Sequence, residues 1–203
     1  MPLRTLATTL LLTLVLVACA DRSPARSPAP AAAPAMADPA PAPVESAPEQ
    51  RFADDRRLDF AGFDGVAWGA DEAAVRAAWQ GSLRSSEPPP GSDCRYLMPV
   101  LAFRPPGIGF MIVDGAFVRA DANSPDYTAP GGARTGLSWT ALATAYPGAV
   151  TSPHKYAEGH ASHRIVDPDG GPGVLVVETG PDGLVTSWRI GIEPQVDRVE
   201  RCH

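Results

Sequence analysis

The chain has 203 residues, 17 basic against 23 acidic side chains and a formal net charge of −6. No basic stripe of the kind that tracks a phosphate backbone is present, so no nucleic-acid partner is expected. No Walker loop, Rossmann glycine pattern or Cys/His zinc set occurs either, and Gly136-Leu137-Ser138-Trp139-Thr140 lacks the closing glycine of a nucleophile elbow, which leaves no sign of an enzyme or of a cofactor.

The first segment, 1–18, has one basic residue, Arg4, and an apolar run at 6–17, well short of the roughly 20 residues a spanning helix needs. It reads as a signal peptide. Its end, Leu16-Val17-Ala18-Cys19, resembles the lipobox of bacterial lipoproteins. The resemblance implies that Cys19 is acylated, with palmitate among its chains, and becomes the new amino terminus. Ala20 after the cysteine, where that family uses aspartate for inner-membrane retention, implies lipid anchoring in an outer membrane, facing the periplasm. Loss of 1–18 leaves a formal net charge of −7.

From 20 to 50 the chain carries eight prolines and eleven alanines and almost no bulky apolar residue. Such a segment cannot bury enough surface to offset its ordering entropy. In extended polyproline form, at about 3.1 Å per residue, it reaches on the order of 90 Å. The sequence therefore divides into a signal peptide (1–18), a lipidated cysteine and Pro/Ala-rich linker (19–57), and a globular domain (58–203).

With Cys19 committed to lipid, Cys94 and Cys202 remain, an even pair in a compartment where disulfides persist. A Cys94–Cys202 bridge would tie the last residues of the chain to the middle of the domain.

The domain contains an internal duplication at about 65–125 and 132–203. Residues 68–81 align with 135–148 at an offset of 67. Asp71 and Ser138 are equivalent N-cap candidates, and Val75 with Trp79 matches Leu142 with Tyr146 as an i, i+4 apolar stripe. Pro147 and the glycines Gly81 and Gly148 lie where the helices should stop. Strand patterns come next in each half, at 94–100, 108–113 and 116–120, then at 163–167, 174–178 and 184–190. Asp114-Gly115 is the strongest hairpin signal among them. These elements predict an α+β fold: a tandem repeat of helix plus antiparallel strands, two-layer, with helices on one sheet face and the other face open.

Gly69-Ala70-Asp71 to Trp79 and Gly136-Leu137-Ser138 to Tyr146, each running into a meander, resemble the tandem-repeat fold of β-lactamase inhibitor proteins and small outer-membrane assembly lipoproteins. With the hairpin 110–115 and the closing Glu200-Arg201-Cys202, the pattern also looks like small proteobacterial lipoproteins, some of them labelled lectin. The resemblance implies a non-catalytic binding module whose partner is another envelope protein, or a cell-wall or surface glycan.

For binding, Trp68 and Trp139 at the helix starts are candidate contacts, since exposed aromatics serve both sugar stacking and protein hot spots. Asp121, Asn123, Asp126 and Tyr127 form the best local cluster for a lectin-like alternative. A metal-dependent hydrolase would need His154, His160 and His163 to converge. The His-x2-His spacing on a strand sends the rings to opposite sides, so no metal site is expected and the three histidines read as a polar loop leading into a strand.

Overall fold

We describe the computed structural model over residues 58–101 and 103–202, which fall within a single compact unit. The signal peptide, Cys19 and the Pro/Ala-rich linker lie outside the described residues.

Strand-forming sequence dominates the domain. Three two-residue strands, β1 (Leu58–Asp59), β2 (Gly62–Phe63) and β3 (Val66–Ala67), make a small meander before α1 (Glu72–Ala78). Then come β4 (Leu83–Ser85), β5 (Arg95–Pro99), β6 (Ile108–Val113) and β7 (Ala116–Ala122). After α2 (Trp139–Leu142) and a 3-10 turn (Ala143–Ala145), the chain adds β8 (Val150–Pro153), β9 (Ala161–Val166), β10 (Val174–Thr179) and β11 (Val185–Gly191). The last eight strands form one antiparallel sheet in the order β4-β5-β6-β7-β11-β10-β9-β8. Its centre is the β7–β11 pair, in which Asp121 lies opposite Arg189 and Ala120 opposite Ile190.

The described residues are thus mainly β, with two short helices, rather than evenly α and β. Local chemistry explains the unequal helices. Asp71 accepts the Ala74 N–H at 2.8 Å, and Glu72 bonds Arg76 one turn on, so α1 is capped and braced. Ser138 makes no side-chain cap bond, and Tyr146 is pushed out of helical backbone by the following Pro147. The second helix therefore ends after four residues, which leaves Leu142, a member of the predicted apolar stripe, only half-buried; Val75, its counterpart in α1, is fully buried. Gln80, not Gly81, takes the left-handed conformation that ends α1. The Asp114-Gly115 turn has positive φ at both residues, 50° and 80°, as its hairpin requires.

Both strands that turn there carry the alternation into packing. Phe110 and Phe117 face the helices, where Phe63 and Trp79 pack on Phe110 at centroid distances of 4.7 and 5.5 Å. Trp188 and Ile190 extend that core across the sheet centre. The opposite face is not open, as the sequence predicted, but roofed in its middle by the C-terminal segment 192–202. There Ile192 N–H bonds the Val118 carbonyl, Val196 packs on Val174 and Val176, and Cys202 is disulfide-bonded to Cys94 with a Cα–Cα distance of 5.4 Å. No helix among the described residues is long and apolar enough to cross a membrane.

Candidate functional site

Two regions gather side chains with binding chemistry, one on each face of the large sheet.

On the helical side an apolar groove of about 290 Å³ opens between the first meander and the end of the 3-10 turn, lined chiefly by Phe60, Pro130, Tyr146, Pro147, Ile165 and Val166. Tyr146 is its fixed wall. The phenol donates to the Pro130 carbonyl at 2.6 Å and accepts the Ala133 N–H at 2.9 Å. Gly131, at φ 84°, lets the ring lie close against the loop, since a Cβ there would sit 2.4 Å from the Tyr146 Cε1. Burial raises the Tyr146 pKa, so the hydroxyl stays protonated and keeps donating. Behind Tyr146 the indole of Trp139 stacks at 5.7 Å, and His163 stacks on the other contact of Trp139 at 3.8 Å. The imidazole is nearly sealed, sharing hydrogen bonds with Thr151 at 2.9 Å and Thr179 at 3.1 Å. At the groove's outer rim Val166 is 55% exposed, and Val150 on the neighbouring edge strand is 68% exposed.

Burial lowers the His163 pKa below its ordinary 6.5. The unfolded chain then takes up a proton near pH 6.5 while the folded one does not, so this contribution to stability is intact above 6.5 and declines as pH falls below it. We expect the denaturant midpoint to drop between pH 7.5 and 5.5, and His163→Gln to flatten that drop. The carboxylates held below their ordinary range, Glu72, Glu178 and Glu200, titrate beneath this window. An unchanged slope in the variant would rule His163 out as its source.

On the other face, charge is buried at the sheet centre. Arg119 is 1% exposed, and its guanidinium pairs with both oxygens of Asp121, whose Oδ2 also accepts the Tyr96 hydroxyl at 2.8 Å. Its remaining nitrogen donates to the carbonyls of Gln195 and Arg198 in the C-terminal segment, at 2.8 and 2.5 Å. Beside it Arg189 pairs with Glu178 and donates to the Val196 carbonyl at 2.6 Å. Burial works against the Glu178 charge, but Arg189, with Ser187 and His154, outweighs it and holds the carboxyl below its usual range. Burial and the Asp121 carboxylate push the Tyr96 phenol far above its ordinary value, so it remains a donor. Two arginines thus stitch the C-terminal segment to the sheet.

Trp68 is half-buried, packed at a tilt on Phe117 with ring centroids 4.7 Å apart and bonded through Nε1 to the Phe60 carbonyl. Trp139 is half-buried as the middle of the stack above, so neither indole is a free platform. Asp121 is buried in the charge network and Tyr127 belongs to the helical-side core, its hydroxyl on the Pro106 carbonyl. Asp126 pairs with Arg104, and Asn123 is exposed. These four residues present no single surface. The three histidines do not converge: His154 accepts the N–H groups of Tyr156 and Ala157, His160 lies 6.1 Å from it ring to ring, and His163 is sealed beneath Trp139. No group of metal-holding side chains occurs among the described residues.

No protein-family profile matches the chain, and no curated protein matches it. Two solved structures are similar at the level of backbone. One is an extracellular protein containing an SCP domain from Bacillus anthracis, 9% identical, TM-score 0.42, over 62% of this chain and 44% of that one. The other is the uncharacterized protein yfeY from Escherichia coli, 15% identical, TM-score 0.42, over 66% of this chain and 95% of that one. The chain spans less than half the length of the Bacillus protein.

Proposed function

We propose that this is a lipid-anchored outer-membrane protein whose domain acts as a non-catalytic binding module for another envelope protein, reached across the Pro/Ala-rich linker. The observation that carries the reading is the groove at Tyr146. It is concave, preformed by the Tyr146 hydrogen bonds, lined mostly by carbon, and continued outward by the exposed Val150 and Val166. Grooves walled by an aromatic ring and prolines suit an extended apolar peptide segment, particularly one bearing proline. A glycan platform draws less support, because Asp121 and Tyr127 already spend their polar atoms within the protein.

The domain is, on this reading, a tandem duplication. Gly69 and Gly136 donate to the Phe117 and Val185 carbonyls, Phe117 and Val185 donate to Ala70 and Leu137, and Glu72 and Trp139 donate to Gly115 and Gly183. Each of these three first-half bonds has its counterpart 67 or 68 residues on. The paired bulges in β6–β7 and β10–β11, and a sheet order that reads the same outward from β7–β11, support the same origin.

Anchoring and docking are tested together in the native envelope. Cys19→Ser should move the protein from the membrane to the soluble fraction and abolish palmitate labelling. With Cys19 intact, a photo-crosslinking residue at Val166 should capture a discrete protein adduct that the same residue at Arg84, on the opposite sheet edge, does not. Membrane retention of the serine variant refutes the anchor, and equal or absent adducts at the two positions refute the groove.

A further inference from the structure

A second site lies on the strapped face, away from the groove. Between β5, β6 and the C-terminal segment there is a cleft of about 160 Å³, with Tyr96, Met98, Gly109, Asn123 and Arg201 on its walls. Its floor exists because residue 109 is glycine: a Cβ there would meet the Tyr96 ring at 2.9 Å and Met98 at 3.7 Å. One end is carbon, from Met98 and the Pro105-Pro106 pair. At the polar end the Arg201 guanidinium sits 5.6 Å from the Tyr96 ring centroid. No carboxylate among the described residues pairs with Arg201, and the Asn123 side chain makes no hydrogen bond among them.

The charge at the polar end favours an anion. Asp121 reaches the cleft, but Arg119 already neutralises it and both its oxygens are occupied. Counting this cleft and the small one beside it, which shares Asp121 and Arg201, three arginines face two carboxylates, Asp121 and Glu178. The backbone at Arg201 is also held in place. It is left-handed, φ 56°, and precedes the cysteine bonded to Cys94. A guanidinium and an amide lining one cleft are a donor set that matches a planar carboxylate.

We propose that this cleft binds a small aliphatic carboxylate, its head on Arg201 and Asn123 and its carbon body on Met98 and Pro106. The head group could come from a free short-chain acid or from the carboxyl terminus of a peptide, and the two are separated by titration. The full-length lipidated protein in detergent would be titrated at constant ionic strength with sodium butyrate, with N-acetyl-alanyl-alanine, and with the amide of that dipeptide. Backbone amide shifts at Gly107, Gly109 and Asn123 give the readout.

Saturable shifts with butyrate assign a free acid as sufficient, and saturation by the dipeptide alone assigns a peptide terminus. In either case Arg201→Gln should weaken binding at least tenfold, the loss of one charge-assisted contact. Gly109→Ala should weaken it as well by filling the floor, and because Arg201 is exposed its variant remains interpretable if the alanine misfolds. No saturation with either acid, equal binding of the amide, or unchanged affinity in Arg201→Gln overturns the proposal.

Discussion

Asp121→Ala should be among the most damaging single substitutions in the domain, costing about 3–5 kcal/mol, the range for removing one partner of a buried ion pair. The variant leaves the Arg119 guanidinium, 1% exposed, without its paired carboxylate and deprives the Tyr96 hydroxyl of its acceptor. Burial opposes the Arg119 charge and Asp121 is the chief group that offsets it, so the variant loses that offset; a guanidinium does not give up its proton near neutral pH, and the charge persists without its paired carboxylate. For a domain of this size the loss corresponds to a fall in Tm of roughly 10 °C or more. The double variant Arg119→Met/Asp121→Leu removes both charges and should lose less than Asp121→Ala alone, because an uncompensated charge costs more than an apolar pair in the same place. Denaturant unfolding of the three proteins decides the matter; a cost below about 1 kcal/mol for Asp121→Ala would show that water reaches Arg119.

Much of the sheet was readable in the sequence because its signals are local. The run Ile108–Val113 and the Asp114-Gly115 turn specify a hairpin within a dozen residues, and β10 and β11 repeat the pattern. The edge strands β4 and β8 were not readable. Leu83–Ser85 and Val150–Pro153 are too short to show alternation, and their pairing to β5 and β9 is set by the neighbour rather than by their own residues. The β1–β3 meander is likewise fixed from outside, by Phe63 packing on Phe110.

Site chemistry was less visible than fold. Arg119 and Asp121 stand two apart in a strand and so share a face, which is a local signal, but charged residues rarely lie inside and Asp121 reads as a surface group. What makes burial tolerable is Tyr96 on β5 and two carbonyls from the far end of the chain, none of them nearby in sequence. The groove is assembled from four separated segments, around residues 60, 130, 146 and 166. Its Pro130-Gly131-Gly132 reads only as a loop until Tyr146 is seen lying across Gly131.

The C-terminal segment gave one sign of its role, the cysteine count, and that supplies the second large effect. Removing the bridge with Cys94→Ser/Cys202→Ser should destabilise the domain by several kcal/mol. Cross-linking across a separation of 108 residues takes about 4–5 kcal/mol of loop-closure entropy out of the unfolded chain, and measured values often fall below that figure. The bridge does not act alone, since Arg119 and Arg189 hold the same segment through the carbonyls of Gln195, Arg198 and Val196. Freeing Cys202 lets those carbonyls exchange protein donors for water, and the arginines then keep only their carboxylates. The disulfide and Arg119 therefore stabilise one shared element, and the loss in Cys94→Ser/Cys202→Ser/Arg119→Met should be smaller than the sum of the separate losses. Strict additivity would mean that the segment stays seated without its bridge, held by Val196 on Val174 and Val176. Denaturant midpoints of the wild type, the serine pair, Arg119→Met and the triple variant distinguish these cases.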